Sequence, residues 1–362
     1  MQILLMSGGG GTRLWPLSTE EKPKQFQAIF DKRSLLRTTF ERILPLTTSE
    51  QIWVSGNTKH DALLKQELPE IPTKNIILEP AKRDNAAAIC LNQLLMAKQE
   101  VPLDEVVVML PTDHLITNEE EFRALVTIGE SFLQKNLDFL VTIGITPTYP
   151  ETGFGYIHKA ATVLHQENDF SVNSIHRFVE KPNKEQAEKY VSSKEYLWNS
   201  GIYMWTLGQM LTWFQSFLPN IYQPLSDNLH RFEEIYSTLP ATSLDYGISE
   251  KLEDIAVIPD HNLEWSDVGD FRALGEHMSD NIATLDVKNS YIRNDTSVPM
   301  KVIGVENIVI VNSPNGLLIC DRDRAQEVKK LNFKFYILRQ AQDKFYIFNP
   351  SFYVQYRKKF SE

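Results

Sequence analysis

Along roughly the first 280 residues, short apolar runs alternate with stretches whose apolar positions recur at i, i+3/i+4 and i+7, and this rhythm predicts an α/β domain built largely on parallel strands. Gln2–Met6, Gln51–Ser55, Asn75–Leu78, Glu105–Leu110 and Asp138–Ile143 read as strands. Between them, Leu36, Phe40, Ile43 and Leu44 share one helical face, Ala87, Cys90, Leu91, Leu94 and Leu95 a second, and Phe122, Leu125, Val126 and Phe132 a third. Past residue 283 the texture changes. Val302–Val305, Ile308–Val311 and Leu317–Cys320 are short β runs with no long helix between them, so a first domain over 1–282 and a small β domain over 283–331 are expected. Residues 332–362 form a further aromatic and basic segment without an assignment, in which Lys334-Phe-Tyr-Ile-Leu338 and Lys344-Phe-Tyr-Ile-Phe348 nearly repeat.

The charge balance narrows the function. With 37 basic and 47 acidic residues the net charge is -10, which argues against a nucleic-acid partner. Anionic substrates would have to be met by positive charge concentrated at the site. No apolar run reaches the roughly 20 residues of a membrane helix, and no basic region precedes the opening Met-Gln-Ile-Leu-Leu-Met, so neither a membrane nor a secretory route is expected. Cys90 and Cys320 show no C-x-x-C or metal-ligand spacing and fit a reducing cytoplasm.

The first strand runs directly into Ser7-Gly8-Gly9-Gly10-Gly11-Thr12-Arg13-Leu14-Trp15-Pro16. Consecutive glycines leave their backbone N–H groups open to an anion, and Arg13 adds a planar fork of donors suited to phosphate. Lys22-Pro23-Lys24-Gln25-Phe26 brings two more cations. Neither the P-loop nor the dinucleotide fingerprint is present, because Gly11 is followed by Thr12 and Arg13. Asp113, in Leu110-Pro-Thr-Asp-His114, stands at the carboxyl end of an apolar strand, where a divalent cation can be held over phosphates; Asp267, in Trp265-Ser-Asp-Val-Gly269, is a second candidate. Taken alone, either reads more readily as a turn or capping residue. In Glu79-Pro-Ala-Lys-Arg83-Asp84-Asn85, Asp84 or Asn85 suits a helix N-cap. Gly153-Phe-Gly155, Glu180-Lys181-Pro182 and Asn199 beside Gly201 supply glycines, a carboxylate, a cation and an amide with both donor and acceptor.

Gly-Gly-x-Gly-Thr-Arg-Leu-Trp-Pro followed by Pro-Lys-Gln-Phe resembles the signature of the bacterial mannose-1-phosphate guanylyltransferases, members of the sugar-1-phosphate nucleotidyltransferase family. The resemblance runs to about residue 330 and includes Pro-x-Asp-His, Trp-Ser-Asp-Val-Gly and Asp245-Tyr-Gly-x-x-Glu250-Lys251, the last reading as support for the site. It implies a Rossmann-like, GT-A-type α/β domain with a mixed, mostly parallel sheet, followed by a small β-helix-like domain. It implies nucleotide contacts from Ser7, Gly8, Gly9, Gly10, Gly11, Thr12, Glu79, Arg83 and Asn85, and sugar-phosphate contacts from Gly155, Glu180, Lys181 and Asn199. Arg13 and Lys24 would neutralise the reacting phosphates, and Asp113 and Asp267 would hold Mg²⁺ or Mn²⁺. The segment Asp84-Asn85-Ala86-Ala87 departs from the Asn-Thr-Ala-Pro the family favours.

The implied reaction joins GTP and mannose 1-phosphate into GDP-mannose with release of pyrophosphate. The same chemistry on glucose or heptose phosphates with another nucleotide, or a non-catalytic nucleotide-sugar-binding homologue, are the competing readings. A phosphomannose isomerase domain, which follows in many relatives, is not expected in a chain of 362 residues. The β domain and aromatic end fit a homodimer.

Overall fold

The computed structural model describes residues 1–9, 12–275, 277–279 and 281–331, with two short strands at 336–337 and 347–348. It divides into two compact units, Met1–Gly11 with Leu17–Gly269, and Thr12–Pro16 with Asp270–Glu362. The chain therefore leaves the first unit just after the glycine run, spends five residues in the second, and returns.

The strands of the first unit are β1 (Gln2–Ser7), β2 (Ile52–Asn57), β3 (Ile76–Glu79), β4 (Val106–Pro111), β5 (Leu115–Ile116), β6 (Leu140–Ile145), β7 (Gly155–Glu167), β8 (Phe170–Glu180), β9 (Tyr196–Thr206), β10 (Ile255–Pro259) and β11 (Trp265–Ser266). Nine of them, among the described residues, form one mixed sheet in the order β3-β2-β1-β4-β9-β6-β10-β8-β7. β1 pairs in parallel with β2 and β4, β2 with β3, and β6 with β10. β9 is inserted antiparallel between β4 and β6. The helices are α1 (Leu35–Ile43), α2 (Asp61–Glu67), α3 (Asp84–Lys98), α4 (Glu119–Leu133), α5 (Lys184–Ser193), α6 (Leu207–Phe217), α7 (Pro219–Asp227), α8 (Phe232–Ile235) and α9 (Leu244–Gly247).

Alternation along β1 builds the core on both faces of the sheet. Ile3 and Leu5 point to the side packed by α1 and α4 through Phe40, Ile43, Phe122 and Phe132. Leu4 points to the other side, with Ala87, Cys90 and Leu94 of α3 and Met210 and Phe214 of α6. Two details differ from the sequence pattern. α1 ends at Ile43, so Leu44 falls past the apolar face and is exposed. α3 is not amphipathic: every residue from Ala86 to Leu94 is buried, Asn92 and Gln93 included. These two amides tolerate burial because Asn92 Nδ2 donates to the Ala88 carbonyl at 2.8 Å and Gln93 Oε1 accepts from Trp205 Nε1 at 3.0 Å.

In the second unit, β12 (His277–Met278), β14 (Tyr291–Asn294) and β16 (Ile308–Ser313) stack in parallel, β17 (Gly316–Asp321) closes that sheet antiparallel to β16, and β13 (Ile282–Lys288) pairs in parallel with β15 (Met300–Glu306). Tyr291 pairs with Val309 and Ile282 with Met300, an offset of 18 residues in each case, as in a coil that climbs one rung per turn. Ile292, Val302 and Ile310 fill its interior. Thr12–Pro16 belongs to this unit: the Pro16 carbonyl accepts from Ser313 Oγ at 3.1 Å and Asn315 Nδ2 at 3.0 Å. Most of the near-repeat at 334–348 lies outside the described residues; within it β18 (Tyr336–Ile337) pairs antiparallel with β19 (Ile347–Phe348). No helix among the described residues is long and apolar enough to cross a membrane.

Candidate active site

β1, β3 and β4 end at the same edge of the sheet, where ligands of open α/β sheets gather, and a cavity of about 590 Å³ opens there within the first unit. Its size suits a nucleotide with a small second ligand. Gly8 and Gly9 follow β1 and line the cavity. A side chain at Gly8 would meet nothing within 4 Å, and one at Gly9 would lie 3.6 Å from Asp113 Oδ2, so bare backbone faces this carboxylate.

The Pro-Lys-Gln-Phe turn is built around the same point. Phe26 is buried in the core, and Gln25 Nε2 donates to the Ser7 carbonyl at 3.0 Å, tying the turn to the end of β1. Lys24 Nζ lies 2.8 Å from Asp113 Oδ2 and donates to the Asp267 and Val268 carbonyls at 2.7 and 3.3 Å. One buried ammonium thus bridges the two aspartates that are far apart in sequence. Burial would push the Asp113 carboxyl up, but the Lys24 charge and hydrogen bond outweigh it and hold the group below its ordinary value. A two-residue ribbon, β5 paired antiparallel with β11, closes the gap between the segments carrying Asp113 and Asp267. Above it, Trp265 Nε1 donates to His114 Nδ1 at 3.2 Å. Indole nitrogen only donates, so Nδ1 is the unprotonated nitrogen and the proton sits on Nε2, which faces Asp113 Oδ1 at 3.7 Å. Burial brings the His114 pKa down to about 4, so the ring is neutral at physiological pH.

Asn57, Glu79, Lys82, Arg83, Asp84 and Asn85 line the next part of the cavity. Glu79 is buried and accepts from Ser55 Oγ at 3.0 Å and Tyr236 Oη at 2.9 Å; burial raises its pKa, and the two hydroxyls only partly counter this. Arg83 carries a buried Nε without a hydrogen-bond partner among the described residues. Helix α3 starts at Asp84 with no side-chain cap, so neither Asp84 nor Asn85 is the capping residue expected. Asp84 takes a left-handed backbone (φ 59°) and accepts from the Asn85 amide, while Asn85 Oδ1 accepts from the Leu244 N–H at 2.7 Å. This places the start of α3 beside α9.

At the far end stand Gly155, Glu180, Asn199, Tyr203 and Asp245. A side chain at Gly155 would meet Glu180 Oε2 at 2.7 Å. Asn199 and Gly201 lie inside β9, where the ladder with β6 shifts register between Thr142 and Gly144 and Gly201 takes φ 72°. The bulge turns Asn199 toward Asp245, whose Oδ1 accepts from Asn199 Nδ2 at 3.0 Å and Tyr203 Oη at 2.5 Å. Burial, opposed by these bonds, leaves the Asp245 carboxyl above its ordinary range. Lys181 does not line the cavity; its Nζ pairs with Glu180 Oε1 at 2.6 Å from an exposed position.

The cavity thus brings together Gly8, Gly9, Glu79, Arg83, Asn85, Asp113, Gly155, Glu180, Asn199 and Asp267. Ser7 is buried behind it, with an Oγ that finds no partner among the described residues, and Lys24 lies beneath Asp113. Arg13 is exposed in a 3-10 turn of the second unit; Gly10, Gly11 and the Thr12 side chain lie outside what the structure describes. Sequence reasoning gave no role to Lys82, Tyr203 or Asn57. Tyr203 sits in an apolar strand run that reads as core, whereas Lys82 was legible as the cation beside Arg83.

Bare glycine backbone beside Asp113, an ammonium that joins Asp113 to the Asp267 carbonyl, and a continuous polar end suit a phosphoryl- or nucleotidyl-transferring α/β protein. The comparisons specify it further: residues 2–283 match the nucleotidyl transferase family model, and residues 280–332 match the MannoseP isomerase/GMP-like beta-helix domain. The chain belongs to the nucleotidyl transferase family, among its mannose-1-phosphate guanylyltransferases. It is 34% identical over 349 residues to mannose-1-phosphate guanylyltransferase from Escherichia coli, covering 91% of this chain and 74% of that protein. The enzyme of the same name from Klebsiella pneumoniae is 35% identical over 348 residues, with 90% and 72% covered. A crystal structure of mannose-1-phosphate geranyltransferase from Thermus thermophilus superposes with a TM-score of 0.78 at 30% identity, over 91% of this chain and 97% of that one.

Proposed function

We propose that the protein transfers GMP from GTP to α-D-mannose 1-phosphate, forming GDP-mannose and pyrophosphate. One sugar-phosphate oxygen bonds to the α-phosphorus as the bond from that phosphorus to the β-phosphate bridge breaks, and the electron pair leaves with pyrophosphate. The nucleophile is already an anion, so no base is required. The barrier is the repulsion between two polyanions and their alignment, and positioning contributes on the order of 7–11 kcal/mol in favourable cases.

The observation that carries the reading is the charge of the cavity. Six of its lining residues are carboxylates (Glu79, Asp84, Asp113, Glu180, Asp245 and Asp267) and two, Lys82 and Arg83, are cations. Such a cavity accepts a triphosphate and a sugar phosphate only with further positive charge. Asp113 and the Asp267 segment already accommodate one cation, the Lys24 ammonium, and their hard oxygen donors fit Mg²⁺ or Mn²⁺, which need one or two carboxylates plus substrate oxygens. When bound there, the metal would supply Lewis-acid neutralisation of the reacting phosphates. Gly8 and Gly9 offer backbone N–H groups to the phosphates. Arg83, Glu79 and Asn85 stand where the nucleoside would lie, while Glu180, Asn199, Tyr203 and Asp245 offer acceptors and donors for sugar hydroxyls.

Pyrophosphate release, measured for GTP, ATP, UTP and dTTP against mannose, glucose and heptose 1-phosphates, tests the assignment. Turnover is expected to be fastest for GTP with mannose 1-phosphate and to vanish on chelation of divalent ions. A faster rate for another pair would replace the substrates named here, and binding without turnover for every pair would replace the enzyme by a nucleotide-sugar-binding protein.

A further inference from the structure

Lys24 spends all of its hydrogen-bonding capacity inside the protein. An ammonium has three N–H donors, and this one has three oxygen partners: Asp113 Oδ2 at 2.8 Å, the Asp267 carbonyl at 2.7 Å and the Val268 carbonyl at 3.3 Å. Its side chain is 9% exposed, so water has little part in satisfying it. In this state Lys24 has no donor to give a phosphate unless it surrenders one of these bonds. The two carbonyls belong to the backbone of the Asp267 strap, which β11 fixes against β5. Asp113 is the separable partner, and it is also the carboxylate read above as a divalent-cation ligand, a reading on which this inference rests.

We infer that Lys24 and the divalent cation exchange at Asp113. In the nucleotide-free protein the ammonium serves as the counter-ion of Asp113 and clasps the Asp267 strap. A divalent cation arriving alone must then compete with a buried, fully bonded ammonium for the same carboxylate and leave that ammonium one partner short. A cation arriving with a nucleotide brings phosphate oxygens that take up the donor released. The free protein therefore binds the metal weakly, and metal and nucleotide enter together. Lys24 acts as a positioning residue before substrate binds, and its link to Asp113 sets the order of binding.

Mn²⁺ binding to the nucleotide-free protein, followed by the electron paramagnetic resonance of the free ion, tests this without any turnover. Lys24→Gln and Lys24→Met remove the competing charge, and each is expected to bind Mn²⁺ about tenfold more tightly than wild type, equivalent to about 1.4 kcal/mol. Lys24→Arg keeps the charge and is expected to bind as weakly as wild type. Neutral variants that keep the wild-type circular dichroism and bind Mn²⁺ no better than wild type would overturn the exchange. Should both lose the fold, the wild-type titration decides, scored against Mn²⁺ with GTP in the absence of protein: protein that binds Mn²⁺ alone as tightly as it binds the Mn²⁺–GTP complex overturns the proposal, and binding of that complex at least about tenfold tighter than of Mn²⁺ alone supports it. Asp113→Asn separates the two layers of argument. If the protein's binding of Mn²⁺, alone and as the Mn²⁺–GTP complex beyond what GTP chelates without protein, survives that substitution, the assignment of Asp113 as a ligand fails; if it is lost while Lys24→Gln gains nothing, only the exchange fails.

Discussion

Gly155 is small because of Glu180. The carboxylate oxygen stands 2.7 Å from where a methyl group would begin, and it is the mobile end of a long side chain. Gly155→Ala is therefore expected to fold with a stability loss under about 1 kcal/mol, because Glu180 swings aside without backbone movement. The lost acceptor should raise KM for the sugar phosphate about tenfold, or about 1.4 kcal/mol, and leave KM for the nucleotide unchanged. Initial-rate kinetics with each substrate varied would check this; equal effects on both would mean that Glu180 does not serve the sugar. Glu79 makes a different point. Its pKa is raised, chiefly by burial, so it carries a cost that grows with pH. Below its ordinary value of 4.5 the acid is protonated both folded and unfolded and contributes no difference. As pH climbs through the raised folded value, the wild type must hold an ionised buried carboxylate and loses stability. Gln in its place has no such burden, and its partners, the Ser55 and Tyr236 hydroxyls, can reverse donor and acceptor roles. The melting temperature of Glu79→Gln, relative to wild type, is expected to rise as pH climbs above about 4.5 and to level off once the folded carboxyl has ionised. A difference that shrinks toward neutrality would refute the raised pKa.

At the scale of elements, the site depends on very little regular structure. Two residues in β5 and two in β11 hold the Asp113 and Asp267 segments together, and the side-chain bonds from Trp265 Nε1 to His114 Nδ1 and from Thr117 Oγ1 to Glu264 Oε2 span them. Trp265→Phe keeps an aromatic ring for the contacts with Phe154 and Trp198 and removes the donor. Loss of one such bond is expected to lower stability by about 1 kcal/mol. The larger effect should fall on catalysis, with kcat reduced because Asp113 and Asp267, the carboxylates proposed above as metal ligands, are no longer fixed in register; wild-type kcat alongside the lowered melting temperature would show that the ribbon only stabilises. Some of this was legible in the sequence. Asp113 follows an apolar strand and the glycines precede a turn, so their place at the sheet edge follows from period and punctuation. The Asp245–Tyr203–Asn199 network was not legible, because it needs a bulge in β9, and a one-residue irregularity changes no apolar pattern. α3 misled in the opposite direction. Its alanines and leucines suggested one apolar face, but Asn92 bonds back to the Ala88 carbonyl of its own helix and Gln93 meets Trp205 Nε1 from β9, and only that tertiary contact shows why Gln93 can be buried.

The whole molecule shows a connectivity that no local pattern reveals. Thr12–Pro16 lies within the run that reads as a single signature motif, yet it packs with residues some three hundred positions later. Leu14 and Pro16 are buried, Pro16 by way of Ser313 and Asn315, and a side chain at Gly316 would strike the Trp15 ring at 2.7 Å, so only glycine fits beneath it. Gly316 also takes φ 146°, which side chains disfavour. The second unit consequently includes a piece of the chain's beginning, and no single cut separates the units cleanly. A chain ending at Gly269 would leave Leu14, Trp15 and Pro16 without the residues that bury them, and the Pro16 carbonyl without both donors. Two lost hydrogen bonds at about 1 kcal/mol each, together with exposure of Leu14 at about 1.5–3 kcal/mol, amount to a sizeable part of the roughly 5–15 kcal/mol that typically holds a fold together. The shortened chain is therefore expected to melt at lower temperature than the full chain and to be cleaved first near residues 12–16 in limited proteolysis. Equal melting temperatures, with the 12–16 region equally resistant, would show that the segment is held by something other than its partners in the second unit.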